Sequence, residues 1–127
     1  MAIPTIESRL QRKFIVMTQD EALLSDLHAG LPAEWLMVET HDLGVIGEFQ
    51  DVLQYRFILL DLDEYDAFDP LDMIRAVRME LMLNVPIFCF GGESDVRDEA
   101  RLSRADRFFE RAEILEKMKL FCQQYQW

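Results

Sequence analysis

Short apolar runs recur along the chain at nearly even spacing, and longer amphipathic segments separate them. Four of these runs contain four to six residues each, which is too short for a core helix and typical of strands buried on both faces. A fifth run, before the last amphipathic segment, is shorter. The predicted strands are 14–17, 35–38, 57–60, 85–90 and 108–109.

The segments between the strands have the periodicity of helices that pack one face against a sheet. Asp20 is a suitable N-cap for the first helix, and Pro70 is favourable in the first turn of the third. Gly44 and Gly47 make the second helix the weakest. The predicted helices are 21–30, 43–53, 70–84, 94–103 and 114–122.

Strands that alternate with helices predict a parallel sheet with right-handed crossovers. A chain of 127 residues can bury one core, so we expect a single α/β domain. Five βα units of this length predict a three-layer, doubly wound, five-stranded parallel sheet of the flavodoxin-like type. We assign 13–127 to this domain and 1–12 to an N-terminal extension.

The overall charge narrows the choice of partners. The net charge of −11 argues against nucleic acid and against acidic membrane surfaces as partners.

No apolar stretch approaches the roughly 20 residues of a membrane span, and no leader segment is evident. Cys89 and Cys122 lie in apolar surroundings without a metal-type spacing, so we expect reduced, buried thiols. These features together predict a cytoplasmic protein.

Two carboxylates follow the third predicted strand directly. The run 57–60 ends in Asp61, and Asp63 comes two residues later. Ligands of open α/β sheets bind beyond the carboxyl ends of the strands. Asp61 is therefore the first candidate for a functional side chain.

Several segments, taken in order along the chain, resemble the receiver domains of response regulators, including the chemotaxis regulators. Arg56-Phe-Ile-Leu-Leu-Asp61-Leu is similar to their third strand and its phospho-acceptor aspartate. Pro70–Arg78 is similar to their third helix, Asn84–Phe90 to their fourth strand, and Arg104–Phe109 to the segment that leads into their fifth strand. The resemblance extends from about Lys13 to Tyr125 and implies that Asp61 corresponds to the phospho-acceptor.

The same resemblance shows which parts of the family's phosphorylation site differ here. The acidic pair that holds Mg²⁺ in receivers falls on Thr18 and Gln19, and the nearest acidic residue is Asp20. The Thr or Ser that contacts the phosphoryl group falls on Gly91, and the lysine after the fifth strand falls on Arg111. The resemblance therefore implies an atypical, degenerate receiver.

These differences have a direct chemical consequence. Mg²⁺ prefers oxygen ligands that include one or two carboxylates, and phosphoryl transfer depends on the charge neutralisation that it provides. We expect no cofactor, with Mg²⁺ bound only if the pocket functions. Two alternatives remain for Asp61. It accepts a phosphoryl group through an altered metal site with Asp20 and Asp63, or it is held by Arg111.

Other patterns in the chain suggest weaker alternatives. Asp61-Leu-Asp63 is similar to the first motif of haloacid-dehalogenase phosphatases, but Glu64-Tyr65 departs from its continuation, and the motif follows the third strand instead of the first. His28 and His41 lack a partner spacing for zinc, and we expect a helix surface and a loop for them. Gly91-Gly92 lacks a full phosphate-binding fingerprint and predicts a flexible loop.

Basic and acidic residues alternate in the last quarter of the chain. Seven of the 13 basic residues lie there: Arg97, Arg101, Arg104, Arg107, Arg111, Lys117 and Lys119. Such mixed charge can pair across a two-fold axis. The resemblance implies a homodimer through the fourth helix, fifth strand and fifth helix, and a solvated surface is the alternative.

The sequence thus predicts a binding module and not an enzyme. We expect a signalling adaptor, or the regulatory module of a larger transcriptional or motility regulator, that binds other signalling proteins with phosphorylation weak or absent. A phosphorylatable receiver and a small aspartate-dependent phosphatase are the alternatives.

Overall fold

A parallel five-stranded sheet forms the middle layer of the domain. The computed structural model describes residues 11–47 and 49–125, so most of the predicted N-terminal extension lies outside the described residues. The strand order is β2-β1-β3-β4-β5, and every neighbouring pair is parallel. The strands are β1 (Arg12–Met17), β2 (Trp35–Glu39), β3 (Ile58–Asp61), β4 (Ile87–Phe90) and β5 (Arg107–Phe109). The predicted doubly wound sheet is confirmed.

Helices connect successive strands and cover both faces of the sheet. They are α1 (Glu21–Gly30), α2 (Phe49–Val52), α3 (Pro70–Arg75), α4 (Ser94–Leu102) and α5 (Ile114–Gln124). The Asp20 side chain accepts a hydrogen bond from the Leu23 amide and caps α1, as predicted. Asp69 caps α3 in the same way, through the Leu71 amide. Local capping chemistry therefore sets the start of both helices.

Two predicted helices differ from the structure. In the described residues of the segment 43–53, the helical structure is limited to a 3₁₀ turn, Leu43–Val45, and the short α2, with Gly47 at a φ of 130°. Helix α3 continues as a π-helical turn, Ala76–Glu80, and ends before the predicted Asn84. Met82 has a φ of 55°, a left-handed conformation that cannot continue a right-handed helix.

Alternate residues of β3 face the two outer layers, and all of them are buried. Ile58 and Leu60 pack in the cluster that contains Ile74 of the α3 segment. Leu59 faces the other side, in the cluster that contains Leu27 of α1 and Met118 of α5. Because the sheet is covered on both faces, the central strand is apolar up to Asp61.

The two cysteines lie in these layers as free thiols, which confirms the expectation from the sequence. Burial raises the pKa of both Cys89 and Cys122 to about 12. None of the helices in the described ranges is long and apolar enough to span a membrane.

A buried arginine, Arg78, lies at the amino-terminal ends of β4 and β5. Arg78 donates from Nε to the carbonyl of Arg104 at 2.9 Å, and from Nη1 to the carbonyls of Leu83 and Val85 at 2.8 and 3.0 Å. Its Nη2 donates to Asp106 Oδ2 at 2.7 Å. Burial lowers the pKa of Arg78, and Asp106 opposes this shift. Arg78 thereby joins the segments that lead into β4 and β5.

Candidate functional site

Arg111 occupies the centre of the site at the carboxyl ends of the strands. It begins a 3₁₀ turn, Arg111–Glu113, soon after β5. Its Nη1 donates to Asp61 Oδ1 at 2.8 Å, and its Nη2 donates to Asp61 Oδ2 at 2.9 Å. This is a bidentate pair, the strong geometry for a guanidinium and a carboxylate. The Asp61 side chain is only 4% exposed, so its charge is compensated mainly by Arg111.

The same guanidinium binds two further carboxylates. Arg111 Nη2 donates to Asp20 Oδ2 at 2.8 Å, and Nη1 donates to Asp63 Oδ2 at 3.0 Å. Hydrogen bonds to Asp61, and then to Asp20, raise the pKa of Arg111 far above its ordinary value, against the opposing effect of burial. The Arg111 hydrogen bond is also the largest cause of the lowered pKa of Asp20. One permanent cation therefore lies among three carboxylates.

Thr18 also binds the Asp61 carboxylate. Its hydroxyl donates to Asp61 Oδ2 at 2.6 Å and accepts from the Asp20 amide at 3.1 Å. The side chain is buried, so these contacts fix the end of β1 against the end of β3. Gln19 is exposed and makes no hydrogen bond to Asp61 in the described part of the chain. Of the two residues at the positions of the family's acidic pair, the structure places only Thr18 in contact with Asp61.

Asp63 connects the site to the loop after β4. The Asp63 amide donates to Asp61 Oδ1 at 2.9 Å, and Asp63 Oδ1 accepts from the Gly92 amide at 2.9 Å. Gly91 has a φ of 73°, and a Cβ atom there would collide with the Asp63 carboxylate. The side chain of Asp63 therefore fills the space that a residue larger than glycine would need at position 91.

Every acceptor site of the Asp61 carboxylate has a donor. An ionised carboxylate offers about four lone-pair sites. Oδ1 accepts from Arg111 and from the Asp63 amide, while Oδ2 accepts from Arg111 and Thr18. No group of three or more His, Cys, Asp or Glu residues in the described ranges is arranged to hold a metal ion. The residues as they lie do not fit Mg²⁺, because Arg111 occupies the position between the carboxylates.

The two histidines lie where the sequence placed them. His28 is on the exposed surface of α1, with Nε2 2.8 Å from Glu39 Oε1. His41 is in the loop after β2, with Nε2 3.2 Å from the Thr18 carbonyl oxygen. They do not share a ligand site, and the structure leaves both as surface groups.

Arg97 has a role that the sequence did not reveal. Its Nε donates to the Gly91 carbonyl at 2.9 Å, and its Nη2 donates to the Phe109 carbonyl at 3.2 Å. In the sequence it was one member of a mixed-charge series on the last quarter of the chain. No local pattern distinguishes it from Arg101, whose Nη1 contacts the exposed Asp98.

Sequence comparison and structure comparison give different results. No family model matches the sequence, and no curated protein matches it either. Solved structures of receiver domains, however, match nearly the whole chain. The receiver domain of a response regulator from Bermanella marisrubri has a TM-score of 0.65 at 20% identity, covering 86% of this chain and 96% of that one.

Two other solved structures are similar to the same extent. The chemotaxis protein CheY4 of Vibrio cholerae has a TM-score of 0.66 at 14% identity, covering 91% of this chain and 98% of that one. The phosphorylated cyanobacterial phytochrome response regulator RcpA has a TM-score of 0.65 at 15% identity, covering 91% and 89%. The chain therefore has the flavodoxin-like fold of response-regulator receiver domains.

Proposed function

We propose that this protein is a receiver-type signalling module that acts by binding other proteins, with phosphorylation weak or absent. The observation that supports this proposal is the occupation of both Asp61 oxygens by Arg111, Thr18 and the Asp63 amide. Receiver-like shape is retained, while the carboxylate that would accept a phosphoryl group is already fully bound.

The chemistry of phosphoryl transfer supports the same conclusion. A carboxylate attacks phosphorus through a free lone pair, and a metal neutralises the charge that builds up on the transferred oxygens. Arg111 interferes with both requirements. Its hydrogen bonds use the lone pairs of Asp61, and its positive charge lies between the carboxylates that a metal ion would need as ligands. A rigid guanidinium fork is difficult to displace from a bidentate carboxylate partner.

The type of partner follows from the fold and the charge. The structurally similar proteins are described as a chemotaxis protein and a phytochrome response regulator, both signalling proteins. We place this protein in the same general role, in the cytoplasm, as an adaptor or as the regulatory module of a larger transcriptional or motility regulator. The net charge of −11 favours protein partners over nucleic acid.

We propose a second copy of the chain as one such partner. The surface formed by α4, β5 and α5 carries both signs of charge, including the exposed Arg101–Asp98 pair. Leu102, at the end of α4, is 78% exposed and would be covered in a two-fold dimer on this surface. Sedimentation equilibrium tests the dimer. We expect a dimer that Leu102→Asp converts to a monomer, and a monomer at all concentrations would exclude it.

The decisive experiment is incubation with Mg²⁺ and acetyl phosphate, followed by intact-mass measurement. We expect at most a minor phosphorylated fraction of the parent protein. Conversion of most of the protein to a species heavier by one phosphoryl group, abolished by Asp61→Asn, would overturn the proposal. The same samples, offered a generic phosphomonoester, are expected to release no phosphate. Turnover that depends on both Asp61 and Asp63 would indicate a phosphatase instead.

One observation favours a phosphorylatable receiver as the second candidate. The carboxylates of Asp20, Asp61 and Asp63 each lie within 3.0 Å of a nitrogen of Arg111, so they surround one guanidinium. If Arg111 moved away and the carboxylates drew together, they would form an oxygen-rich site suited to Mg²⁺. A Mg²⁺-dependent gain in mass on the parent protein would identify this second candidate.

A further inference from the structure

Asp63 makes two contacts that belong to different parts of the site. Its Oδ2 accepts from Arg111 Nη1 at 3.0 Å, and its Oδ1 accepts from the Gly92 amide at 2.9 Å. The first contact lies at the end of β5 and the second in the loop between β4 and α4. One carboxylate therefore connects the Asp61 site with the loop that leads into α4.

Arg97 connects the same loop to β5 from the other side. It donates to the carbonyls of Gly91 and Phe109, and the Gly91 amide in turn donates to the Phe109 carbonyl at 3.1 Å. Gly91 and Gly92 have φ values of 73° and 81°, which are accessible to glycine at little cost. The contacts of Asp63 and Arg97 hold this pair of glycines in the conformation observed.

The loop matters because it positions the surface next to it. Helix α4 begins at Ser94, directly after this loop, and its first turn includes the hydrogen bond from the Arg97 amide to the Glu93 carbonyl. Only Glu93 separates Gly92 from α4, so a change in the backbone conformation of Gly92 would displace the first turn of this helix. This surface is the one to which we assigned partner binding.

We propose that Asp63 is a positioning residue that couples the charge of Arg111 to the β4–α4 loop. Through this coupling the Asp61 site holds the α4–β5 surface in one conformation without a phosphoryl group. The inference rests on the proposed function and describes how the binding surface is held: an internal cation and not a transferred group sets its conformation.

Native-state amide hydrogen exchange, followed by NMR at Gly92 and Arg97, tests the coupling. The informative variant is Arg111→Gln, since Arg111 contacts neither of these amides. We expect exchange at Gly92 to become about tenfold faster, the size of effect for a hydrogen bond to a charged group. Exchange at Arg97, in the first turn of α4, should increase in the same direction.

A second variant keeps the test informative if Arg111→Gln is unstable. Asp63→Asn leaves an oxygen that can accept from Gly92 but removes the ion pair with Arg111, and we expect the same acceleration. The double variant should exchange no faster than Arg111→Gln alone, because both changes break one connection. Asp66→Asn is the matched control: it alters an exposed carboxylate of the β3–α3 loop, where Asp63 also lies, and should leave both amides unchanged.

The result that would overturn the coupling is an exchange rate at Gly92 within about twofold of the parent in both single variants. Acceleration by Asp66→Asn equal to that of Asp63→Asn would also overturn it, since general charge and not the Arg111 contact would then be the cause. Intact mass after acetyl phosphate treatment tests the proposed function separately, so either proposal can fail while the other holds.

Discussion

Arg78 and Arg111 lie at opposite ends of the same sheet, and each binds groups from distant segments of the chain. Arg78 donates to three backbone carbonyls and one carboxylate, and its side chain is 6% exposed. Arg111 donates to three carboxylates, and its side chain is 34% exposed. The two sites therefore differ in the charge of their partners and in their access to water.

Because of this difference, the pKa values of the two guanidinium groups shift in opposite directions. At Arg78 burial is the largest influence and lowers the pKa, and the charge of Asp106 opposes this shift only in part. At Arg111 the carboxylate hydrogen bonds are the largest influence and raise the pKa. The neutral carbonyl partners of the buried Arg78 hold distant segments of the chain together. The carboxylate partners of the partly exposed Arg111 form a charged cluster, and the number of carboxylates and cations in it can control the binding of metal ions.

The largest expected effect is on stability at the Arg78 end. Arg78→Met leaves the carbonyls of Arg104, Leu83 and Val85 without their donor, so we expect a loss of about 3 kcal/mol in the free energy of unfolding. Urea denaturation measures this loss. Arg75→Met is the control, because Arg75 makes an exposed pair with Asp72 and should cost less than about 1 kcal/mol. Equal losses of unfolding free energy in the two variants would show that the buried contacts of Arg78 contribute no more to stability than the exposed pair of Arg75.

At the Asp61 site we expect a smaller loss of stability than at Arg78, together with a change in Mg²⁺ binding. Arg111→Gln leaves the buried Asp61 without its cation, and we expect a loss of roughly 2 kcal/mol at neutral pH. The three freed carboxylates should then bind Mg²⁺, so Mg²⁺ should raise the Tm of this variant and not that of the parent. Thermal unfolding with and without Mg²⁺ measures both effects.

Arg101→Gln is the control for this experiment. Arg101 makes an exposed pair with Asp98 on α4, away from Asp61, and its loss should not create a response to Mg²⁺. An equal rise in Tm for the parent and for Arg111→Gln would mean that Mg²⁺ binds elsewhere on this acidic protein.

The smallest expected effect concerns Asp20 and depends on pH. Its folded-state pKa lies below the unfolded value of about 3.9, so its contribution is present above about pH 4 and is lost as the pH falls through the folded-state pKa. Asp20→Asn can still cap α1, and at neutral pH it should cost up to about 1 kcal/mol through loss of the Arg111 pair. Unfolding measured from neutral to acid pH should show the two proteins converging.

Asp26→Asn provides the matched comparison, since Asp26 is an exposed carboxylate in the middle of the same helix. We expect it to follow the parent at every pH. A difference between Asp20→Asn and the parent that persists in acid would point to the helix cap and not to the ion pair.

The sequence was sufficient for the sheet, since apolar runs such as 57–60 are recognisable without tertiary information. It also placed Asp61 and Arg111 at the carboxyl ends of strands, where they meet, and offered an Arg111–Asp61 contact as one alternative. The role of Arg78 was missed, although its spacing of four from Ile74 puts it on the apolar side of the predicted helix. That spacing is a usable signal for a buried arginine.

The remaining details depend on tertiary structure. The fit of Asp63 against Gly91 requires the backbone angle at position 91, and this angle depends on how the β4–α4 loop is held. Likewise, the α3 segment continues as the π-helical turn Ala76–Glu80, which contains the buried Arg78. Neither follows from residue spacing, because the contacts join segments far apart along the chain.

The pairing of Gly91 with Asp63 also has a consequence for how this site can evolve. A threonine placed at position 91 meets an unfavourable φ of 73° and the carboxylate of Asp63 at the same time. Replacement of Asp63 by a small residue first would remove the collision and leave only the unfavourable backbone angle. The two substitutions are therefore epistatic, and their order matters. A mutational path that begins with Asp63 meets the backbone strain alone, and one that begins with Gly91 meets the strain and the collision together.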